Sequence, residues 1–411
     1  KLRAERDSVL KELSEKLGHT TGIDDVNSWK FMARACDSVG VQYPRTAKTG
    51  QPSFGKEWTR KHPHWLPRLA DRAQQLELIA SKFLQGFLLN YSNGGRVHAS
   101  INQFRSDEGG TRSHRFSYSD PALQQMPSRD EEFKDFVRGA FLPEEGEYWA
   151  ALDYSQQEYR LIVHYAEVHR CGRATEAGDQ YRTDPRTDFH TMVAEMTGLD
   201  RKPAKDTNFA KAFGAGVKKF ALMIGKSVEE AQAIYDQYDQ KMPFVKELAN
   251  RCASAANAKG YILLIDKARS HFDHWEASDQ KLNYDEGGKY IAPRPLAAAK
   301  RVEQWENARL RRAYTHKAMN RKIQGSAARM TKIAMRDCWR EKLLPMLQMH
   351  DELDFSFGDE RTALRAKELM RDAVKLTVPV VVDLEWGRNW GEAKYEWKDL
   401  KKAGGRGGKK R

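Results

Sequence analysis

The spacing of apolar residues changes character along the chain. From Leu2 to Leu17 they recur at helical intervals amid dense charge, and Leu69 to Leu89 carries a second long helical run. Residues 1–93 therefore read as mostly helical. Residues 94–165 shift toward strands, and residues 166–265 return to helical spacing, including Val228 to Tyr238. Ser270 to Pro295 is polar, contains Gly287-Gly288 and reads as a loop or insertion. Residues 300–340 read as helix and 345–395 as sheet. Within the latter, Val378-Pro379-Val380-Val381-Val382 predicts a strand, with Pro379 confining it to an edge or a strand start.

Two segments put carboxylates where secondary structure changes. Leu347-Gln348-Met349 and Leu353-Asp354-Phe355-Ser356-Phe357 alternate on either side of His350-Asp351-Glu352, predicting a β-hairpin with acids at its tip. Trp149 to Asp153 predicts a strand that turns into a helix carrying Glu158 and Arg160. Carboxylates on rigid, separate elements suit two-metal phosphoryl transfer, in which two Mg²⁺ ions sit about 4 Å apart. A third segment adds an anion site. Arg201, Lys205, Phe209 and Phe213 recur every fourth residue, one face of a helix that Pro203 places in its first turn, near Lys202. Its cationic N-terminus suits a triphosphate, and its aromatic end suits a base.

These three segments resemble motifs A, C and B of the family A DNA polymerases. The match lies in Asp153-Tyr154-Ser155-Gln156-Gln157-Glu158-Tyr159-Arg160, in Gln348-Met349-His350-Asp351-Glu352, and in Arg201 to Gly214. Gly95 to Gln103, Thr111 to Gln125, Asp188-Phe189-His190 and Asn320 to Ala328 resemble further segments of that family in the same order. The resemblance implies an α+β right-hand fold with a helical thumb, an antiparallel-sheet palm and helical fingers. It implies DNA-directed DNA synthesis from a primer 3′-hydroxyl and dNTPs. Asp153, Asp351 and Glu352 are then catalytic, with Asp153 and Asp351 holding two Mg²⁺. Tyr154, Gln156, Glu158, His190, Arg201, Lys205, Phe209 and Phe213 bind the nucleotide, and Glu158 excludes a 2′-hydroxyl. Arg115, Gln124, Asn320, Gln324 and His350 contact primer-template DNA.

The sequence departs from the family pattern at named places. Met349 stands where a valine is usual, Phe213 where a tyrosine is usual, Ala122 where an asparagine is expected, and His316 where an arginine is usual. Pro203 is unusual in the nucleotide-binding helix. By this resemblance residues 1–93 are a partial thumb and 94–165 the first part of the palm. Residues 166–265 are fingers, 266–400 the second part of the palm and 401–411 a basic disordered tail. No proofreading exonuclease is expected within these residues, since no start motif precedes the palm and 93 residues are too few for such a domain beside a thumb; if the chain is a fragment, any such domain would lie upstream of Lys1.

Composition narrows the partners. Lys and Arg number 70 against 57 Asp and Glu, a net charge of +13, which suits a polyanion. The four cysteines show no CxxC pairing, so neither zinc nor a disulfide framework is expected, and a cytoplasmic location in a bacterial or phage-infected cell fits. No apolar run approaches the roughly 20 residues of a membrane span. A monomer is expected, with room for a processivity factor as a further partner. An RNA polymerase or reverse transcriptase shares such a palm, and a noncatalytic DNA-binding subunit shares such a fold. Glu158 weighs against ribonucleotide substrates. Joint retention of Asp153, Asp351, Arg201 and Lys205 weighs against the noncatalytic reading.

Overall fold

The computed structural model describes the chain except residues 47–48, 107–108, 128–130 and 405–411, so the last seven residues of the basic tail lie outside the described residues. It divides into two compact units, Lys1–Ile101 with Tyr118–Phe141, and Asn102–Ser117 with Leu142–Arg411.

Within the first unit residues 1–93 are mostly helical, as the spacing predicts. Helix Leu2–Leu17 ends at Gly18, whose φ of 75° only glycine adopts cheaply. It packs Leu10 and Leu13 against Met32, Cys36, Leu66, Ala70 and Ala73. The predicted run Leu69 to Leu89 is two helical segments. Trp65–Glu77 is an α-helix, and Leu78–Leu89 continues it with wider, i to i+5 turns. Helix Glu131–Arg138 is tied to the former by Arg72, which donates to Glu132 at 2.8 Å.

The second unit is built on a four-stranded antiparallel sheet. Strand β1 is Tyr148–Tyr154, and β2 (Leu347–Met349) and β3 (Glu352–Phe357) form the predicted hairpin. β4 is Val382–Gly387, and the order is β2-β3-β1-β4. One sheet face is apolar: Ala150, Leu152, Tyr154, Leu353, Phe355, Val382 and Trp386 form a buried core with helix α6 (Glu360–Asp372). Helices α1 (Gln157–Val168), α2 (Phe189–Thr197), α3 (Arg201–Ala212) and α4 (Val228–Lys241) follow β1 in sequence, and α5 (Ala318–Arg340) precedes β2. A second core joins Tyr159, Ile162, Phe189, Tyr238, Phe244 and Ile323.

Three expectations need correction. The strand expected at 378–382 begins only at Val382. The carbonyl of Pro379 accepts from Arg160 at 2.7 Å and that of Val381 from the Ser155 amide at 3.0 Å, so these groups are spent on the β1–α1 turn instead of a ladder. The expected loop at 270–295 contains strands. His274–Ala277 pairs with Arg294–Pro295 and with Leu310–Arg312, which interrupts the expected 300–340 helix. This small sheet has its own core of Ala277, Ala299, Val302 and Trp305, and buried Asn283 bonds both the N–H and the C=O of Ala277. Side-chain-to-backbone bonds and a single tryptophan replace the apolar periodicity that would have announced it. Finally, helix Trp397–Gly404 runs into the stretch expected to be a disordered tail.

Candidate active site

Period-two alternation builds the centre of the site. Asp153 on β1 lies directly opposite Glu352 on β3 and Asp383 on β4. Cross-strand partners share a sheet face, so three carboxylates form a row on the face opposite the apolar core. Asp351 precedes Glu352 at the hairpin bend. The bend is held by the left-handed φ of 59° at His350 and by Gln348 donating to the His350 carbonyl at 2.6 Å. Trp390 donates to Glu352 at 3.3 Å. Like charges directly opposite one another destabilise a sheet. Solvent reaches Asp153, yet surrounding protein weakens its hydration. That burial, then Asp351, Glu352 and Asp383, push its pKa well up, with Lys205 opposing. Burial also raises Asp351, against Arg115, His350 and Lys205.

This excess of negative charge fits divalent cations. Among the described residues no three potential ligands converge into a ready-made metal cage.

Helix α3 supplies the opposite charge. It starts at Arg201, one residue before the expected position, with Pro203 in its first turn. Lys205 is exposed and close enough to lower the pKa of both Asp153 and Asp351. Arg201 is bonded to Asp188, which also caps α2 by accepting from the His190 amide at 2.9 Å. Burial works against the Asp188 carboxylate, but these two bonds outweigh it and hold its pKa down. Phe209 lies on α3 and Phe213 caps it. Their rings stack at 5.8 Å with 8° between planes, and His190 stands 5.1 Å from Phe209.

Other expected residues divide. Arg115 is ion-paired with Glu158, so the expected primer contact and the expected sugar gate hold each other. Asn320 and Gln324 are half-buried on α5, and His350 is exposed. Gln124 lies in the first unit, on the single turn Leu123–Gln125. Gln156 is a turn residue with φ 51°. It donates to the Thr187 carbonyl at 2.8 Å and accepts from Tyr181 at 3.1 Å. Tyr154 is a correction. Adjacent to Asp153 on a strand, it faces the other side of the sheet, is buried, and donates to the Met370 carbonyl at 2.6 Å.

Asp383 was not among the expected residues, although Val382-Asp383-Leu384-Glu385-Trp386 alternates cleanly. Nor was Asn208, although this polar residue interrupts the small-residue stripe Ala204, Asn208, Ala212. A cavity of about 300 Å³ is lined by Arg105, Arg112, Arg269 and Arg321, with Asp273 as the one carboxylate among the described lining residues. Burial and then Arg112 lower the pKa of Arg321, with Asp273 opposing.

Comparison with known proteins gives the family and the fold. The sequence profile described as DNA polymerase family A matches residues 1–392. The "DNA-directed DNA polymerase" of Pseudomonas phage M6 is 33% identical over 433 residues, covering 94% of this chain and 60% of that protein. DNA polymerase I of Bacillus subtilis (strain 168) is 28% identical, covering 94% of this chain and 42% of that protein. The chain thus spans well under two thirds of these relatives. The polymerase domain of Pol1 from M. smegmatis, solved with DNA primer-template and dNTP, shares the fold. Its TM-score is 0.70 at 22% identity, covering 95% of this chain and 65% of that one.

Proposed function

The chain belongs to DNA polymerase family A, and from that membership we propose that it extends a DNA primer 3′-hydroxyl with dNTPs on a template and releases pyrophosphate. The observation that carries this reading is the row Glu352–Asp153–Asp383 with Asp351 beside it, facing Lys205 of α3. In this reading residues 94–165 and 266–400 are palm, 166–265 fingers and 1–93 thumb.

Asp153 and Asp351 are the residues that would hold two Mg²⁺. The ions, when bound, supply charge stabilisation at the attacking and leaving oxygens. Lys205 and Arg201 bind the triphosphate, Arg201 exchanging its bond to Asp188 for phosphate oxygens, which suit the guanidinium fork. The stacked Phe209 and Phe213 provide a wall for sugar and base. Glu158 fills the space a 2′-hydroxyl would need, and Arg115 passes from Glu158 to the primer end. The arginine-lined cavity takes backbone phosphates of the nucleic acid.

Magnesium-dependent extension of a labelled primer tests this. We expect Asp351→Asn to abolish single-turnover extension while primer-template affinity, measured by gel shift, stays within about threefold, because many phosphate contacts carry that affinity. Near-normal turnover by Asp351→Asn would remove the metal-site assignment.

A further inference from the structure

A buried polar network joins α2, α3 and α4 behind the nucleotide-facing surface. Asn208 is fully buried, and its amide nitrogen lies 3.0 Å from His190 Nδ1 and 3.5 Å from the Phe189 carbonyl oxygen. Tyr238 donates to the Asn208 carbonyl oxygen at 2.9 Å. Tyr159 packs its ring edge-on at 5.8 Å from His190 and sends its hydroxyl to Met242 at 3.0 Å. His190 is itself buried, and its Nε2 has no hydrogen-bond partner.

The orientation of the amide decides the chemistry of the ring. The opposite orientation would turn Asn208 Oδ1 onto the Phe189 carbonyl, acceptor against acceptor. With the amide NH₂ facing His190, Nδ1 must accept. A proton there would meet a second donor. The single ring proton of neutral histidine then resides on Nε2.

We infer that Asn208 is a positioning residue that holds His190 as the neutral tautomer protonated at Nε2, a committed hydrogen-bond donor, with Tyr238 holding Asn208 in turn. The charged groups around His190 are Asp188, Arg201 and Lys205; Tyr159 packs on it, and Tyr238 reaches it through Asn208. Burial lowers the histidine pKa to about 4; Lys205 and Arg201 add to this and Asp188 opposes it. A donor N–H left unpaired in a dry site is costly, and phosphate oxygens are the acceptors that the neighbouring cations recruit. That this acceptor is a triphosphate oxygen of the nucleotide rests on the proposed polymerase reading. The tautomer itself does not.

The experiment uses the full chain labelled with ¹⁵N-histidine, the His190 signals being identified by their loss in His190→Gln. In wild type Nδ1 should appear as an unprotonated ring nitrogen and Nε2 as a protonated one, unchanged between about pH 5 and 8. Asn208→Asp replaces the donor by an acceptor, so Nδ1 should gain a proton and His190 should titrate within that window. The KM for dNTP should rise roughly tenfold on the alkaline side while wild type stays flat. Tyr238→Phe, a milder change, should yield a mixture of tautomers, and it carries the test if Asn208→Asp fails to fold. A wild-type His190 protonated at Nδ1, or titrating between pH 5 and 8, overturns the inference. So does an unaltered tautomer in whichever of the two variants folds. Absence of nucleotide incorporation by wild type would refute the polymerase reading while leaving the spectroscopic test intact.

Discussion

At the scale of single residues, the site is organised by unfavourable charge. Asp153 faces Glu352 and Asp383 across the sheet, with Asp351 nearby, and no arginine or lysine among the described residues forms an ion pair with it. Its folded pKa lies above the ordinary carboxylate value of about 3.9. Below that value the group is protonated in both folded and unfolded chains and costs nothing. As pH rises, the unfolded chain releases the proton first. The folded chain then binds more protons than the unfolded one, so stability falls until the folded pKa is passed. We expect the contribution of Asp153 to the stability of the cation-free protein to turn unfavourable from about pH 4 upward. Asp153→Asn should be the more stable protein near neutrality, with the difference closing toward pH 4. Unfolding temperatures of the two proteins across pH, in chelator, measure this. Parallel curves would mean that Asp153 bears no such strain. Asp383, one cross-strand position away, was hidden in the sequence because the strand containing it was expected four residues earlier.

At the scale of elements, the register of α3 and the β1–α1 turn decide substrate choice. Phe209 follows Lys205 by one helical turn, so a nucleotide whose phosphates lie on Lys205 brings its sugar toward Phe209. A phenyl ring offers no hydrogen bond in place of the one a missing 3′-hydroxyl makes. We expect discrimination against dideoxynucleotides, relaxed about ten- to a hundredfold in Phe209→Tyr, as a hydrogen bond of roughly 1–3 kcal/mol implies. Chain-termination efficiency of ddNTP against dNTP gives the ratio. Equal ratios for the two proteins would require a different register for α3. Glu158 sits in the first turn of α1, anchored by Arg115. Truncation in Glu158→Ala opens the space for a 2′-hydroxyl and frees Arg115. The efficiency ratio of dNTP to rNTP should fall sharply, and an unchanged ratio would argue that the gate lies elsewhere. The helix positions were legible because both segments alternate or repeat cleanly. The Arg115–Glu158 pair was not, since the two residues lie 43 positions apart.

For the whole molecule, charge is the governing quantity. A net charge of +13 and an arginine-lined cavity together predict steeply salt-dependent DNA binding. Six to ten phosphate contacts lose roughly 10³–10⁵ in affinity between 50 and 200 mM salt. Arg112→Ala should weaken primer-template binding without regard to sequence and reduce the slope of log affinity against log salt by about one. A slope identical to wild type would remove the cavity from the DNA path. The sequence by itself determined the helical first unit, the β2–β3 hairpin, the strand-to-helix turn after Asp153 and the face of α3, because local periods of two and about four residues decide those. Only the tertiary structure decided that β4 pairs with β1 and so sets Asp383 opposite Asp153, that Pro379 serves Arg160 instead of a strand, and that Asn208 meets His190. Each of these depends on which distant backbone or side-chain group supplies a partner, and strand pairing and helix packing settle that without leaving a mark on local spacing.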